Sequence, residues 1–283
     1  MDLRDKACVL TGCASGIGKH MMGVLHAAGA RVFATDVAEG PLLEAVAALG
    51  GTSERLQTHV LDVRNAAQWE AAITSAQARF GRLDILLNIA GISHSAYIHE
   101  ADPAWLERHV DINLKGVMFG THYAAKIMVP QRAGHIVNIA SLAGLCPVPG
   151  MSAYSASKFG VRGFSISVAD ELRAHNVFVT AICPDAVATP MLDHEALEPE
   201  AALSFSGNRI LTVQEVERAI LHGALTKRKQ EVILPSSMAG LARMVTAWPS
   251  IIMPLLPVFR ARGQKNQARY REALEHPGAP KRH

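Results

Sequence analysis

The chain has 283 residues, 49% apolar and 19% charged, with a formal net charge of +3 and a mean hydropathy of +0.14. One α/β domain commonly reaches about 250 residues around a single sheet, so residues 1–237 are expected to form one domain, with 238–283 as an apolar extension and basic tail of that same domain. Charge this weak and dispersed excludes the basic footprint of a nucleic-acid binder, and the slightly oily composition implies apolar surface covered by a subunit, a lipid or a substrate.

Taken in chain order, short β-rich apolar runs alternate with segments of helical period, the pattern of repeated βαβ units. Strands are predicted at Ala7–Leu10, Arg31–Thr35, Gln57–Leu61, Asp84–Asn88, His135–Ile139, Val177–Cys183 and Glu231–Leu234. Helices are predicted near Gly18–Ala28, Leu42–Leu49, Ala67–Phe80, Pro103–Met128, Ala153–His175 and Val213–Thr226, the last opening on a capping box, Thr212 to Glu215. Seven strands joined by crossover helices make a doubly wound, mostly parallel sheet with helices on both faces, whose ligands bind beyond the strand C-termini.

Met238–Phe259 is apolar and almost long enough to span a bilayer, but Arg243 lies inside it and Pro249, Pro254 and Pro257 interrupt it. It reads as a lid or subunit contact, with a membrane-touching surface as the alternative. The basic cluster from Arg260 to Arg271, with Lys281 and Arg282, reads as a solvated helix face and a frayed tail. Cys8, Cys13, Cys146 and Cys183 have no Cys-x-x-Cys spacing and suit buried thiols in a reducing compartment. The charged stretch Met1–Lys6 leads straight into the first strand without an apolar leader, so a cytoplasmic location is expected.

The first strand is followed by Thr11-Gly12-Cys13-Ala14-Ser15-Gly16-Ile17-Gly18, which opens a helix. Glycines there allow a tight turn and a close approach of backbone amides to a pyrophosphate at the helix N-terminus. Asp36 ends the second strand, where a carboxylate accepts hydrogen bonds from the adenosine ribose. At about 5 Å and an effective dielectric near 20 it repels a 2′-phosphate by roughly 3 kcal/mol per unit charge, favouring NAD over NADP; Lys19 and Arg31 are the cations that could offset it from elsewhere. Asp62-Val63 follows the third strand, and Asn88-Ile89-Ala90-Gly91 follows the fourth.

Tyr154 and Lys158 stand four residues apart on one helix face. Bringing a phenol from a pKa near 10 to about 7 takes roughly 4 kcal/mol, and one cation near 4 Å at a dielectric of about 20 supplies something of that size. Lys158, with the positive nicotinamide of NAD, thus makes Tyr154 a candidate acid/base. Ser141 ends the fifth strand with a hydroxyl for the substrate oxygen, and Asn113 is a candidate holder of a relay water near Lys158.

These motifs resemble the short-chain dehydrogenase/reductase family over roughly Lys6 to Thr189. The resemblance implies a Rossmann-type domain, the glycine motif Gly12, Gly16 and Gly18 with Ser15 and Ile17 between, Asp62 and Val63 before an adenine pocket, and the turn Asn88, Ala90 and Gly91. It implies the tetrad Asn113, Ser141, Tyr154 and Lys158, with Tyr154 and Lys158 also against the dinucleotide. Pro184, Val187 and Thr189 would meet the nicotinamide carboxamide. Asp185 departs from the glycine usual after that proline, and the family's short glycine-rich C-terminal strand is replaced.

The substrate loops hold Ile92, Ser93, His94, Tyr97, Leu142, Leu145, Cys146, Pro147, Met151, Met191 and Leu192, with Leu197, Leu203 and Phe205 beyond. They suit a hydrophobic alcohol or ketone; His94 is the one polar group among them that could orient a second substrate oxygen, and it is read in preference as an exposed loop residue. No metal is expected, since none of the 13 histidines falls in a ligand motif. A homodimer or homotetramer is expected through the Pro103–Met128 and Ala153–His175 helices. The competing readings are a membrane-surface lipid or steroid dehydrogenase and a dinucleotide sensor without turnover.

Overall fold

The computed structural model describes residues 2–275. Its strands are β1 (Ala7–Thr11), β2 (Arg31–Asp36), β3 (Leu56–Val60), β4 (Ile85–Asn88), β5 (Gly134–Ile139), β6 (Val177–Pro184) and β7 (Glu231–Leu234). They form one sheet in the order β3-β2-β1-β4-β5-β6-β7, and every pairing is parallel. Order reverses between β1 and β4, so a crevice opens beyond the C-termini of those two strands.

All five residues of β1 are buried, which is why its sequence is a continuous apolar run rather than an alternation. Successive side chains still point to opposite faces. Cys8 and Leu10 join a core with Met21, Met22 and Leu25 on one face, while Ala7 and Val9 join Phe33, Trp69 and Leu86 on the other. The covering helices are α1 (Gly16–Ala27), α2 (Glu39–Ala47), α3 (Ala66–Phe80), α4 (Pro103–His109), α5 (Gly116–Gln131), α6 (Ser152–Arg173), α7 (Pro190–Glu195), α8 (Val213–Arg218), α9 (Ala239–Ala247) and α10 (Leu256–Glu275).

Two long predicted helices are each interrupted. Val110–Lys115 and Ala219–Thr226 are π-helical turns, following α4 and α8 respectively. The wider turn inserts one residue into the helical ladder and so resets which side chains face inward; the first of these turns carries Asn113.

The apolar segment Met238–Phe259 packs along the β7 side. Ala242 joins a cluster with Leu142, Leu145 and Val161, and the Thr246 hydroxyl donates to the Leu145 carbonyl at 2.8 Å. Arg243 and Arg162 both pair with Glu231, at 3.1 and 2.5 Å, which ties α9 and α6 to β7. Trp248, Met253, Leu255 and Val258 remain exposed. No helix among the described residues is long and apolar enough to cross a membrane.

The basic stretch from Arg260 onward is more than a solvated face. Within α10, Gly263 and Gln267 are buried. The Gln267 amide donates to the carbonyls of Glu195 and Glu198 at 2.9 and 2.7 Å, Asn266 donates to the Phe205 carbonyl at 2.9 Å, and the Tyr270 hydroxyl donates to Asp193 at 2.8 Å. The helix therefore braces the loop of residues 190–205 from behind. Lys281 and Arg282 lie outside the described residues. Gln267→Ala removes two hydrogen bonds to carbonyls that each keep a backbone donor, so a loss of about 1–2 kcal/mol is expected in urea unfolding, with faster amide exchange confined to residues 195–205. Protection unchanged in that segment would show that α10 does not hold it.

Candidate active site

The turn after β1 is built for close backbone approach. Gly12 and Gly16 take left-handed φ of 73° and 52°, and a β-carbon at Gly18 would fall inside the contact shell of the Gly12 carbonyl oxygen. Ser15 makes no side-chain cap to α1, so the first amides of that helix remain available to an anion. Gly16 faces the methyl of Thr189, at contact distance from where its own β-carbon would stand. The loop after β6 thus folds back over the turn.

Asp36 accepts hydrogen bonds from the Ala14 and Ala38 amides, both at 3.0 Å, which fixes its carboxylate over the turn. Val37 beside it is exposed. Arg31 is committed to the Phe80 and Asp5 carbonyls at the other end of β2, so it cannot neutralise a phosphate at this edge. Asp62 is gripped by the Arg64 guanidinium, which holds its carboxyl below the ordinary range. Val63 is a buried packing residue of the core.

A cleft of about 130 Å³ opens next to the turn. Ile17, Gly91, Ser141, Tyr154, Lys158, Pro184, Val187 and Thr189 line it together, with Met151, Met191, Leu192, Asp185 and Glu195. Ser141 reaches Tyr154 because a close backbone approach allows it: a β-carbon on Gly144 would collide with the Lys158 carbonyl, so the turn Leu142–Gly144 lies directly on α6. Lys158 is buried, donates to the Ile139 carbonyl at 2.9 Å, and holds its nitrogen 5.7 Å from the Tyr154 ring centre.

The electrostatics amend one expectation. Burial, then the nearby Glu195 carboxyl, push the Tyr154 phenol above its ordinary pKa, and the Ser141 hydroxyl offsets them only in part. Burial brings Lys158 down to about 8. The protein by itself therefore favours the protonated phenol rather than holding it near neutrality.

Other predicted residues sit around the cleft rather than in it. Asn88 is buried and donates to Asn138 at 2.8 Å, joining β4 to β5. The Ala90 and Ile89 amides both donate to the Thr11 hydroxyl at 3.0 Å, which locks the β4 turn to β1. Asn113 is fully buried, with its amide spent on the Ile92 backbone at 2.8 and 2.9 Å and on Ser157 at 3.1 Å. It fixes the turn at Gly91, beside the Lys158 nitrogen. Leu145 is core, Leu197 is exposed, and Phe205 packs on Tyr270.

His94 is not a free loop residue. It stacks on Trp105 with 4.4 Å between ring centres and bonds Glu198 at 2.9 Å. His109, absent from the sequence reading, is buried edge-on to Tyr154, with ring centres 6.3 Å apart. Its Nδ1 faces the Trp105 carbonyl at 2.7 Å and its Nε2 faces the His94 amide at 3.2 Å. One partner is an acceptor and the other a donor, so the ring is the neutral Nδ1–H tautomer, and burial lowers its pKa accordingly. Its spacing of four from Asn113 was the available signal.

The short chain dehydrogenase family model matches residues 6–200. A 3-oxoacyl-(acyl-carrier-protein) reductase of Thermotoga maritima is 35% identical over 193 residues, 68% of this chain and 78% of the relative. A mitochondrial borneol dehydrogenase of Lavandula x intermedia is 33% identical over 229 residues, 80% of this chain and 86% of the relative. The crystal structure of a levodione reductase superposes with a TM-score of 0.76 at 30% identity, covering 84% of this chain and 98% of that one. These matches define an oxidoreductase of a family that uses nicotinamide cofactors. The chain belongs to the short-chain dehydrogenase/reductase family.

Proposed function

We propose that the protein is an NAD-dependent dehydrogenase interconverting a hydrophobic secondary alcohol and its ketone. The observation that carries this reading is the Tyr154 phenol beside the Ser141 hydroxyl and the Lys158 ammonium in one cleft, next to the uncapped glycine turn.

When bound, the nicotinamide supplies the hydride acceptor or donor. Gly12, Ser15, Gly16 and Gly18 present backbone amides to the pyrophosphate, Asp36 takes the ribose hydroxyls, and Pro184, Val187 and Thr189 receive the nicotinamide end. Ser141 donates to the substrate oxygen. Tyr154 gives that oxygen its proton in reduction, for which its raised pKa suits it, and takes the proton in oxidation. Lys158 places a positive charge by the phenol, which lowers the cost of the phenolate that oxidation needs. Asn113 and His109 position the turn and the ring. Apolar Met151, Met191 and Leu192 fit a hydrophobic ring or chain. The family's usual homo-oligomer would pair through α5 and α6, and a cytoplasmic location fits the buried thiols, with Cys13 pushed up to about 12.

A panel of cyclic secondary alcohols run with NAD and NADP tests this. Turnover with NAD is expected to exceed that with NADP at least tenfold in kcat/KM. Asp36→Ala should narrow the ratio by about one to two orders of magnitude, from removal of roughly 3 kcal/mol of repulsion before screening. A wild-type preference for NADP would reject the assignment of cofactor.

A further inference from the structure

Glu195, on α7, is unlike the rest of the cleft wall. It is 7% exposed, lines the cleft with Met191 and Leu192, and takes part in no ion pair among the described residues. The Ser93 and Ser204 hydroxyls lean toward it but do not cancel the effect of burial, which raises its pKa. It lies close enough to Tyr154 to shift the phenol. Its backbone is held in place, since its carbonyl accepts from Gln267 on α10. Asp185, the other carboxyl of the cleft, holds one oxygen on the Ala186 amide at 2.9 Å.

A carboxyl buried among apolar groups is costly unless something hydrogen-bonds it. Glu195 has no structural partner comparable to that of Glu231 or Asp62, and its open side is the substrate space. We propose that Glu195 selects the substrate by hydrogen-bonding a second oxygen function, a hydroxyl or carbonyl, on the same hydrophobic skeleton as the reacting carbon. This rests on the alcohol dehydrogenase reading above. A carboxyl accepts from a hydroxyl when ionised and also donates to a carbonyl when protonated, so the group matches either oxygen function. It offers no cation to an acid, and leaves a substrate with one oxygen unmatched.

The test uses the whole enzyme with cyclohexanol, the 1,2-, 1,3- and 1,4-cyclohexanediols and 4-aminocyclohexanol, comparing wild type with Glu195→Gln and Glu195→Met. The wild type is expected to prefer at least one diol over cyclohexanol by about 10-fold or more in kcat/KM, the worth of one buried hydrogen bond. Glu195→Met, similar in volume, should bring that ratio within about threefold, chiefly through the KM of the diol, and Glu195→Gln, which still donates and accepts, should keep most of it. A preference surviving in Glu195→Met, no diol preference in the wild type, or a Glu195-dependent preference for the amino alcohol would each overturn the proposal. Should Glu195→Met not fold, Glu195→Ala takes its place: loss of the diol preference is expected, and its survival overturns the proposal. Failure of the wild type to oxidise every one of these alcohols would be a different result, since it removes the dehydrogenase reading and this inference with it.

Discussion

Tyr154→Phe is expected to lower kcat by about 10²- to 10⁴-fold, the range for loss of a positioned acid/base, with NADH affinity changed less than about threefold. The phenyl ring preserves the edge-on packing against His109 at 6.3 Å between centres, so the variant removes a proton and an oxygen without opening a cavity. Steady-state kinetics with an NADH fluorescence titration separates the two effects. The raised phenol pKa adds a sign. Reduction, which uses the protonated form, should hold its rate from pH 7 to 9, while oxidation, which needs the phenolate, should climb with pH over the same window. Full turnover by the variant would remove Tyr154 from the reaction.

Much of the fold was legible because a parallel sheet covered on both faces writes itself as short runs of Val, Ile and Leu. All seven strands fall within a residue or two of where those runs lie. The glycine turn was legible for a steric reason, since only glycine tolerates the contact at position 18. The Tyr154 and Lys158 spacing was legible because one helix face fixes it. Helix continuity was less so: an extra residue in a π-helical turn leaves the apolar period almost intact, so Pro103–Met128 reads as unbroken.

Polar side chains were the harder part, because sequence cannot say which way they turn. Asn88 and Asn113 carry the same amide as any cleft residue, yet their partners lie across the sheet and on a neighbouring helix, tens of residues away in sequence. Asp193, His194 and Glu195 follow one another, and only the wrap of α7 turns Glu195 to the cleft and Asp193 to Tyr270. The docking of α10 escaped for a related reason. Its buried edge is a glycine and a glutamine rather than an apolar stripe, so a strongly basic helix looked solvated on every side.

Lys158→Met should separate activity from stability in opposite directions. Turnover is expected to fall by about 10²-fold or more, because no other lining side chain among the described residues brings a positive charge to the phenol. Stability should rise at pH 7. Burial has brought the Lys158 pKa from the ordinary 10.5 to about 8, so the folded protein carries an ammonium it would rather release, and at 1.36 kcal/mol per unit that is about 3 kcal/mol. The lost hydrogen bond to the Ile139 carbonyl offsets about 1 kcal/mol of this. Below pH 8 both states of the wild type hold the proton and the penalty is constant. Between 8 and 10.5 the unfolded chain binds it while the folded protein does not, so wild-type stability rises with pH. The advantage of Lys158→Met should therefore shrink across that window and be gone near pH 10.5. Urea unfolding of both proteins at pH 7 and pH 10 reads the difference, in which the other titrating groups largely cancel. A gap that stays constant with pH would mean that the lysine keeps its ordinary proton affinity, and that the fold does not hold its charge ready for the phenol.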